Sequence, residues 1–286
     1  MDLFFCLSAY LITELLLREA GTTGGIDVRS FYFRRILRIW PLYFFALGVL
    51  APALAWWDHS EQLPASYLAA FALLSGNWAC AIGGYPASSF ALLWSVSIEE
   101  QFYLAWPWLV RARMERIRAF AWGMIAVAWI ARIVLLKVPH PGVWCNTLAR
   151  LDPMAAGILL AGRSTKWAAS RRGISMLGGL GGMLIAGAVG QLSGIGSLWT
   201  YPLIAASAAA ILRGTLGVAM DVPALGYLGK ISFGLYVFHA AALRIAGSAL
   251  GGLALTIVCA ALSYRFLETP FLRWKERFAR VESRPV

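Results

Sequence analysis

From Leu3 to Leu267 one apolar run follows another, each near the length of a membrane-spanning helix, with short charged loops between them. A spanning helix takes roughly 20 apolar residues, because hydrocarbon offers the backbone no hydrogen bonds and the chain has to supply its own. The pattern places helices near Leu3 to Leu17, Ile39 to Trp57, Leu92 to Val110, Ile117 to Leu136, Val143 to Ala161, Ile174 to Leu192, Leu198 to Leu212, Ile231 to Gly247 and Leu250 to Leu267. The expected fold class is all-α, a polytopic transmembrane helix bundle of about nine spans in a single integral-membrane domain, residues 1–286. A further apolar piece, Tyr67 to Pro86, is interrupted by Gly76 and Asn77 and is expected to be re-entrant or interfacial. The glycine-rich stretch Gly173 to Gly190 reads as a face where helices approach closely.

Only 14% of the residues are charged and 60% are hydrophobic, whereas soluble domains carry about a quarter charged residues; no soluble domain fits. The net charge of +11 is spread between apolar segments rather than gathered on one face, which argues against a nucleic-acid partner. Cys6, Cys80, Cys145 and Cys259 lack the paired spacing of zinc or redox motifs, and His59, His140 and His239 are far apart, so no metal site is expected.

Lys and Arg collect on the cytoplasmic side of membrane proteins. The basic loops follow the first span (Arg18, Arg29, Arg34, Arg35, Arg38), surround Arg111 to Arg118 and Arg163 to Arg172, separate Arg213 from Lys230, and form the tail after Arg273. Placing all of them inside puts Val286 in the cytoplasm and Met1 outside, with the interrupted piece not crossing by itself. The same parity expects one more upstream helix, and hence an N-terminally truncated domain.

Three constellations carry polarity into the apolar chain. In "LWSVSIEEQFYLAWP", Ser95 precedes Glu99 by four residues, Ser97 precedes Glu100 by three, and Tyr103 follows Glu99 by four, so each serine is spaced to reach a glutamate one turn on. Two carboxyls this close in a low-dielectric site favour holding a proton between them; they serve either proton exchange or internal neutralisation of arginines. In "RSFYFRRILRIWPLYF", Arg34, Arg35 and Arg38 share a helix face suited to bidentate phosphate recognition or to snorkelling toward lipid headgroups. In "TLARLDPMAAG", Arg150 and Asp152 are two residues apart, point to different sides of a helix, and are expected to meet different partners unless Pro153 unwinds the turn. His239, inside an expected span, is either a helix contact or a base. These features suit an intramembrane enzyme or a proton-coupled transporter of a glycan or lipid.

Five stretches in order, "DLFFCLSAYLIT", "FYFRRILRIWPLY", "LWSVSIEEQFYLAWP", "RLDPMAAGILLA" and the pair "LGKISFGLYVFHA" with "SYRFLETPFLRW", extend from Asp2 to Trp274. Together they resemble the acyltransferase-3 family of multispanning bacterial membrane O-acyltransferases. The resemblance implies a multi-pass protein of the bacterial cytoplasmic (inner) membrane that transfers an acyl group, commonly acetyl from acetyl-CoA, to a hydroxyl of a cell-surface glycan or related acceptor. Acyl-CoA would be a co-substrate and no cofactor would be bound permanently. Arg35 and Arg38, flanked by Arg34, would hold the donor's phosphates. Glu99 and Glu100 would manage protons or orient a base; Ser95, Ser97, Tyr103, Arg150 and Asp152 would shape the cavity. Ala9 stands where the family usually has glycine. The family also begins with a further helix bearing an arginine and the histidine that acts as general base. This chain starts after it, so His239 is the substitute candidate and a non-catalytic relict is the alternative.

Overall fold

The computed structural model describes residues 1–162, 169–218 and 222–278. Arg163 and Lys166 of one expected basic loop, Asp221 of another, and Arg280 and Arg284 of the tail lie outside the described residues. All regular structure among the described residues is helical. In chain order the helices are α1 (Asp2–Thr23), α2 (Val28–Trp57), α3 (Ala65–Ala72), α4 (Gly76–Gly83), α5 (Trp94–Ala112), α6 (Ile117–Val134), α7 (Asp152–Leu160), α8 (Ala169–Val189), α9 (Ser197–Thr215), α10 (Pro223–Lys230), α11 (Ser232–Ala246) and α12 (Ala249–Lys275).

Among the described residues, four helices are long and apolar enough to cross a membrane on those grounds alone: α2, Met114–Val134 around α6, Arg171–Val189 within α8, and α12. The surface supports that placement. Trp56, Ile82 and Leu250 are 82%, 87% and 82% exposed, while Arg132 and Arg150 are almost wholly enclosed at 0% and 1%. Apolar side chains outside and guanidinium groups inside are the distribution that hydrocarbon demands and water penalises. This is a membrane protein.

Local sequence explains the joints. Gly24 ends α1 in the left-handed region at φ 74°, and the Asp27 carboxylate then caps α2 by accepting from the Ser30 amide at 3.1 Å. Both long helices contain one wide π turn, Ala46–Leu50 in α2 and Tyr264–Glu268 in α12. Pro52 and Pro270 lie two residues beyond these turns. A proline has no N–H to donate and its ring collides with the carbonyl four residues back, so the winding opens just before it.

The interrupted piece folds into α3 and α4, eight residues each, or about 12 Å, too short to cross. Leu74 turns the chain at φ 55°, and its carbonyl accepts from Gln101 Nε2 at 3.0 Å. Gly76 is required next, since a Cβ there would enter the Phe71 ring. Asn77, fully buried, donates to the Cys145 carbonyl at 3.0 Å and Thr147 Oγ1 at 2.9 Å, and accepts from Gln101 at 2.8 Å. The interruption is thus a polar clasp between the hairpin, α5 and the segment before α7.

That segment corrects the expected Val143 to Ala161 helix. Turns run to Cys145, a single 3₁₀ turn covers Leu148–Arg150, and α7 starts only at Asp152, with Pro153 in its first turn. Proline fits that position because its missing N–H is not needed there, and it disfavours helix before it. Irregular backbone at membrane depth survives only when protein satisfies it. Here the Asn146 side chain accepts from the amides of Leu148 and Ala149, and Arg132 donates to the Ala149 carbonyl at 3.0 Å.

Arg150 and Asp152 do meet different partners. Arg150 pairs with Asp2 at 2.6 Å and Asp152 with Arg132 at 2.5 Å. The Tyr201 ring of α9 lies 4.8 Å from the Arg150 guanidinium and 5.6 Å from that of Arg132, so α1, α6, α7 and α9 converge on one buried charged cluster. Close helix contacts complete it. Gly157 of α7 sits where a Cβ would enter the Cys6 carbonyl of α1, and Gly179 of α8 faces the Ser207 carbonyl of α9.

Just past the C-terminal end of α2, Arg244 of α11 pairs with Asp58 at 2.9 Å. The Ser60 hydroxyl, Arg244 and the Ser60 amide hold the Asp58 carboxyl down at about 2. A depressed carboxylate contributes above its ordinary value of 3.8 and loses that contribution as pH falls through about 2. Limited proteolysis of the 58–64 loop is therefore expected to be unchanged from pH 7 to about 4 and to rise only below it. Arg132→Met alone is expected to destabilise the detergent-solubilised protein by about 3–5 kcal/mol, whereas Arg132→Met with Asp152→Leu recovers most of the loss; thermal unfolding of both variants checks this. Gly157→Val is expected to cost about 1–3 kcal/mol through overpacking against α1, while Gly178→Ala, with open space around it, leaves the melting temperature unchanged.

Candidate active site

Arg35 and Arg38 enter the protein interior because α2 winds continuously through "RSFYFRRILRIW", placing positions three apart on one side. Glu99 and Glu100 follow each other on α5, where successive residues diverge by about 100°. Two cavities result. The first, about 430 Å³, is enclosed by α1, α2, α5 and the α10–α11 junction, with Ser8, Arg35, Arg38, Glu99, Tyr103 and Ser232 as its polar lining. The second, about 370 Å³, lies between α2, α5 and the α3–α4 turn, with Glu100, Gln101, Trp40 and Tyr32 beside apolar residues. Arg35 and Tyr103 belong to both linings and form the partition.

The partition is held by specific contacts. The Tyr103 hydroxyl donates to Glu99 Oε1 at 2.5 Å and is itself hydrogen-bonded to the Ser8 hydroxyl of α1. The Arg35 guanidinium rests 5.7 Å from the Tyr103 ring and 5.6 Å from that of Phe31. These stacking contacts leave its Nε buried without a hydrogen-bond partner. Glu100 Oε2 accepts from Trp40 Nε1 at 3.2 Å, while its Oε1 is buried and unpartnered. A cationic side and a carboxylate–hydroxyl chain thus face one enclosed space, able to hold an anion and to accept and pass a proton.

The other expected site residues are placed as follows. Arg34 turns away from both cavities, pairing with Glu19 at 3.1 Å and donating to the Phe278 carbonyl at 2.7 Å. Ser95 reaches the Tyr236 hydroxyl at 2.6 Å rather than Glu99, and Ser97 is fully buried with its hydroxyl unpartnered rather than joined to Glu100. Arg150 and Asp152 form the structural cluster described above and line neither cavity. His239 is exposed on α11, with Nδ1 2.6 Å from the Tyr236 carbonyl, and lines neither cavity.

Sequence reasoning missed Ser8, Trp40, Gln101 and Arg132. Ser8 and Trp40 lie inside the quoted motifs, and Arg132 is a cation deep inside its apolar run, fourteen residues beyond Arg118, which asks for a buried partner. Gln101 also lies inside a quoted motif, directly after the two glutamates, where its uncharged amide stands out less than they do.

Comparison with known proteins bears on this geometry. A family model described as an acyltransferase domain matches residues 1–270. Among curated relatives, the protein named "Putative O-acetyltransferase SAR0937" of Staphylococcus aureus strain MRSA252 is 28% identical, the match covering 97% of this chain and 54% of that protein. "O-acetyltransferase OatA" of Staphylococcus aureus strain NCTC 8325 is 25% identical over 94% of this chain and 52% of its own. The chain spans about half the length of the curated relatives it matches. No solved structure gives a significant match. With the family model covering nearly all of the membrane bundle, including the two arginines and two glutamates that build the cavities, this chain belongs to the acyltransferase-3 family.

Proposed function

We propose that the chain is the membrane part of an O-acyltransferase that moves an acyl group, acetyl by analogy with its relatives' names, from acyl-CoA at the cytoplasmic face to a hydroxyl of a cell-surface glycan or related acceptor. The observation that carries the reading is the 430 Å³ cavity lined by Arg35, Arg38 and the Glu99–Tyr103–Ser8 chain. In the reaction the thioester carbon–sulfur bond breaks, an oxygen–carbon bond forms, the hydroxyl proton passes to a base, and the thiol leaves protonated. Three needs follow: a grip on the donor, a cationic setting for the developing oxyanion, and a group that takes the proton.

Arg38 and Arg35 meet the first two needs. Guanidinium groups bind phosphate by paired hydrogen bonds, and Arg35, with an unpartnered Nε, has donor capacity to spare. Glu99 meets the third, directly or by orienting another base, with Tyr103 as the relay to Ser8. Arg34, bound to Glu19, supports the position of α2.

The same reading takes the protein as a multi-pass component of the bacterial inner membrane with a cytoplasmic C-terminus and about nine crossings. Support comes from α1 and α5, which at 22 and 19 residues are long enough to cross although they carry charges that the apolar measure excludes. The irregular segment before α7, together with α7, makes one broken crossing of the kind tolerated where protein surrounds it.

Arg35→Ala and Arg38→Ala are expected to weaken acetyl-CoA binding by roughly 10- to 100-fold each, the worth of a charged hydrogen bond. Glu99→Gln is expected to leave that binding in place while reducing acyl transfer by about 10²-fold or more. Isotopically labelled acetyl-CoA with the purified chain in nanodiscs measures both. Unaltered donor binding in the two arginine variants and unaltered transfer in Glu99→Gln would remove the assignment; uptake driven by a pH gradient without acetyl-CoA binding would replace it with a transporter.

A further inference from the structure

We propose that the second cavity, on the Glu100 side of the partition, is the acceptor site, and that the acceptor enters it sideways from the bilayer as an amphiphile with a free hydroxyl. The inference rests on the acyl-transfer reading and gives its acceptor a chemical class and an entry route.

Three observations combine. Ile36, Leu73, Leu74 and Leu104 form the aliphatic part of the lining, and two of these are open to the outside: Leu73 is 78% and Leu104 66% exposed, as side chains that meet lipid tails would be. A free sugar arriving there would shed its water with nothing to replace it, whereas an apolar chain loses nothing by moving from lipid tails to leucine side chains. The second observation is an unmet acceptor inside; the lining's other unpartnered buried atom, Arg35 Nε, is a donor and calls for an acceptor instead. Glu100 Oε2 is held by Trp40 at 3.2 Å, but Oε1 is buried and has no donor. Such an atom calls for a hydrogen, and a hydroxyl supplies one. Apolar walls with one acceptor atom match an amphiphile's hydroxyl joined to its chain.

The third observation is position. Arg35 and Tyr103 line both cavities and Tyr103 donates to Glu99, so a hydroxyl held at Glu100 lies against the partition and reaches the acyl group, and the Glu99 side that takes its proton, when those two side chains part. A lipid that merely filled the groove would satisfy the leucines and leave Glu100 Oε1 unchanged; dependence on the hydroxyl is therefore the observable that separates recognition from filling.

The test uses the full chain in nanodiscs and a diacylglycerol carrying a photoreactive diazirine in its acyl chain close to the glycerol, compared with the same lipid whose hydroxyl is methylated. The free hydroxyl is expected to give several-fold stronger labelling of peptides from α2 and residues 65–83, and Glu100→Leu is expected to erase that preference. Leu74→Trp fills the cavity and is expected to cut labelling several-fold while acetyl-CoA binding stays normal. Leu104→Trp at an exposed position of the lining gives the same readout if the interior variant does not fold. Equal labelling by the two lipids, or labelling indifferent to both tryptophan variants, overturns the proposal even with acetyl-CoA binding intact. Hydroxyl-dependent labelling in a protein that binds no acetyl-CoA overturns the acceptor role and, separately, the acyl-transfer reading.

Discussion

A charge inside hydrocarbon has to be met by the protein, and this one constraint arranges most of the bundle. Two arginines with negligible exposure, Arg132 and Arg150, pair with Asp152 and Asp2, and both guanidinium groups lie near the Tyr201 ring. Four helices are fixed by that cluster. Asp2 is the first residue of α1, so the pair with Arg150 also sets the depth of α1 and brings Ser8, less than two turns on, against the Tyr103 hydroxyl. The structural charges thereby position a member of the reactive cavity without lining it. A buried pair need not add net stability, since desolvation offsets attraction; its value here is register.

The neighbouring glutamates of α5 are reconciled by helix geometry. Adjacent carboxylates would repel strongly in a shared low-dielectric space. At about 100° per residue they leave the helix in different directions, Glu99 toward α1 and Glu100 toward α2 and the α3–α4 turn. Arg35 stands between the two spaces, its guanidinium within cation–π reach of the Tyr103 and Phe31 rings, where the stack and fork are those a guanidinium can offer. A lysine would keep the charge and lose the stack and the fork.

Much of this was legible in the sequence because hydrocarbon makes composition speak clearly. The helical class, the failure of Tyr67 to Pro86 to form one long helix, the burial of Glu99 and the separate partners of Arg150 and Asp152 all follow from apolar length, glycine interruption and the cost of buried charge. The expected serine–glutamate pairs did not form, because spacing along one helix is blind to a stronger partner on another, here Tyr236 for Ser95. The helix expected from Val143 failed for a related reason: apolarity measures burial, and the side chains of Asn77, Asn146 and Arg132 let buried backbone remain irregular. Of the nine apolar runs, four lie in described helices that are long and apolar enough to cross on those grounds alone. Cavities are the least legible feature, since Glu100, Leu73 and Ile36 become neighbours only when three elements pack.

The two π turns give the long helices a property that their regular neighbours lack. Each holds one residue more than an ordinary turn requires, at Ala46–Leu50 and at Tyr264–Glu268. Losing a residue from a regular spanning helix swings everything beyond it by about 100° and drives lipid-facing side chains inward. In α2 and α12 the surplus residue is slack that can be taken up locally, so these turns are the places where the chain length of a packed membrane helix can change by one while both flanking faces keep their orientation.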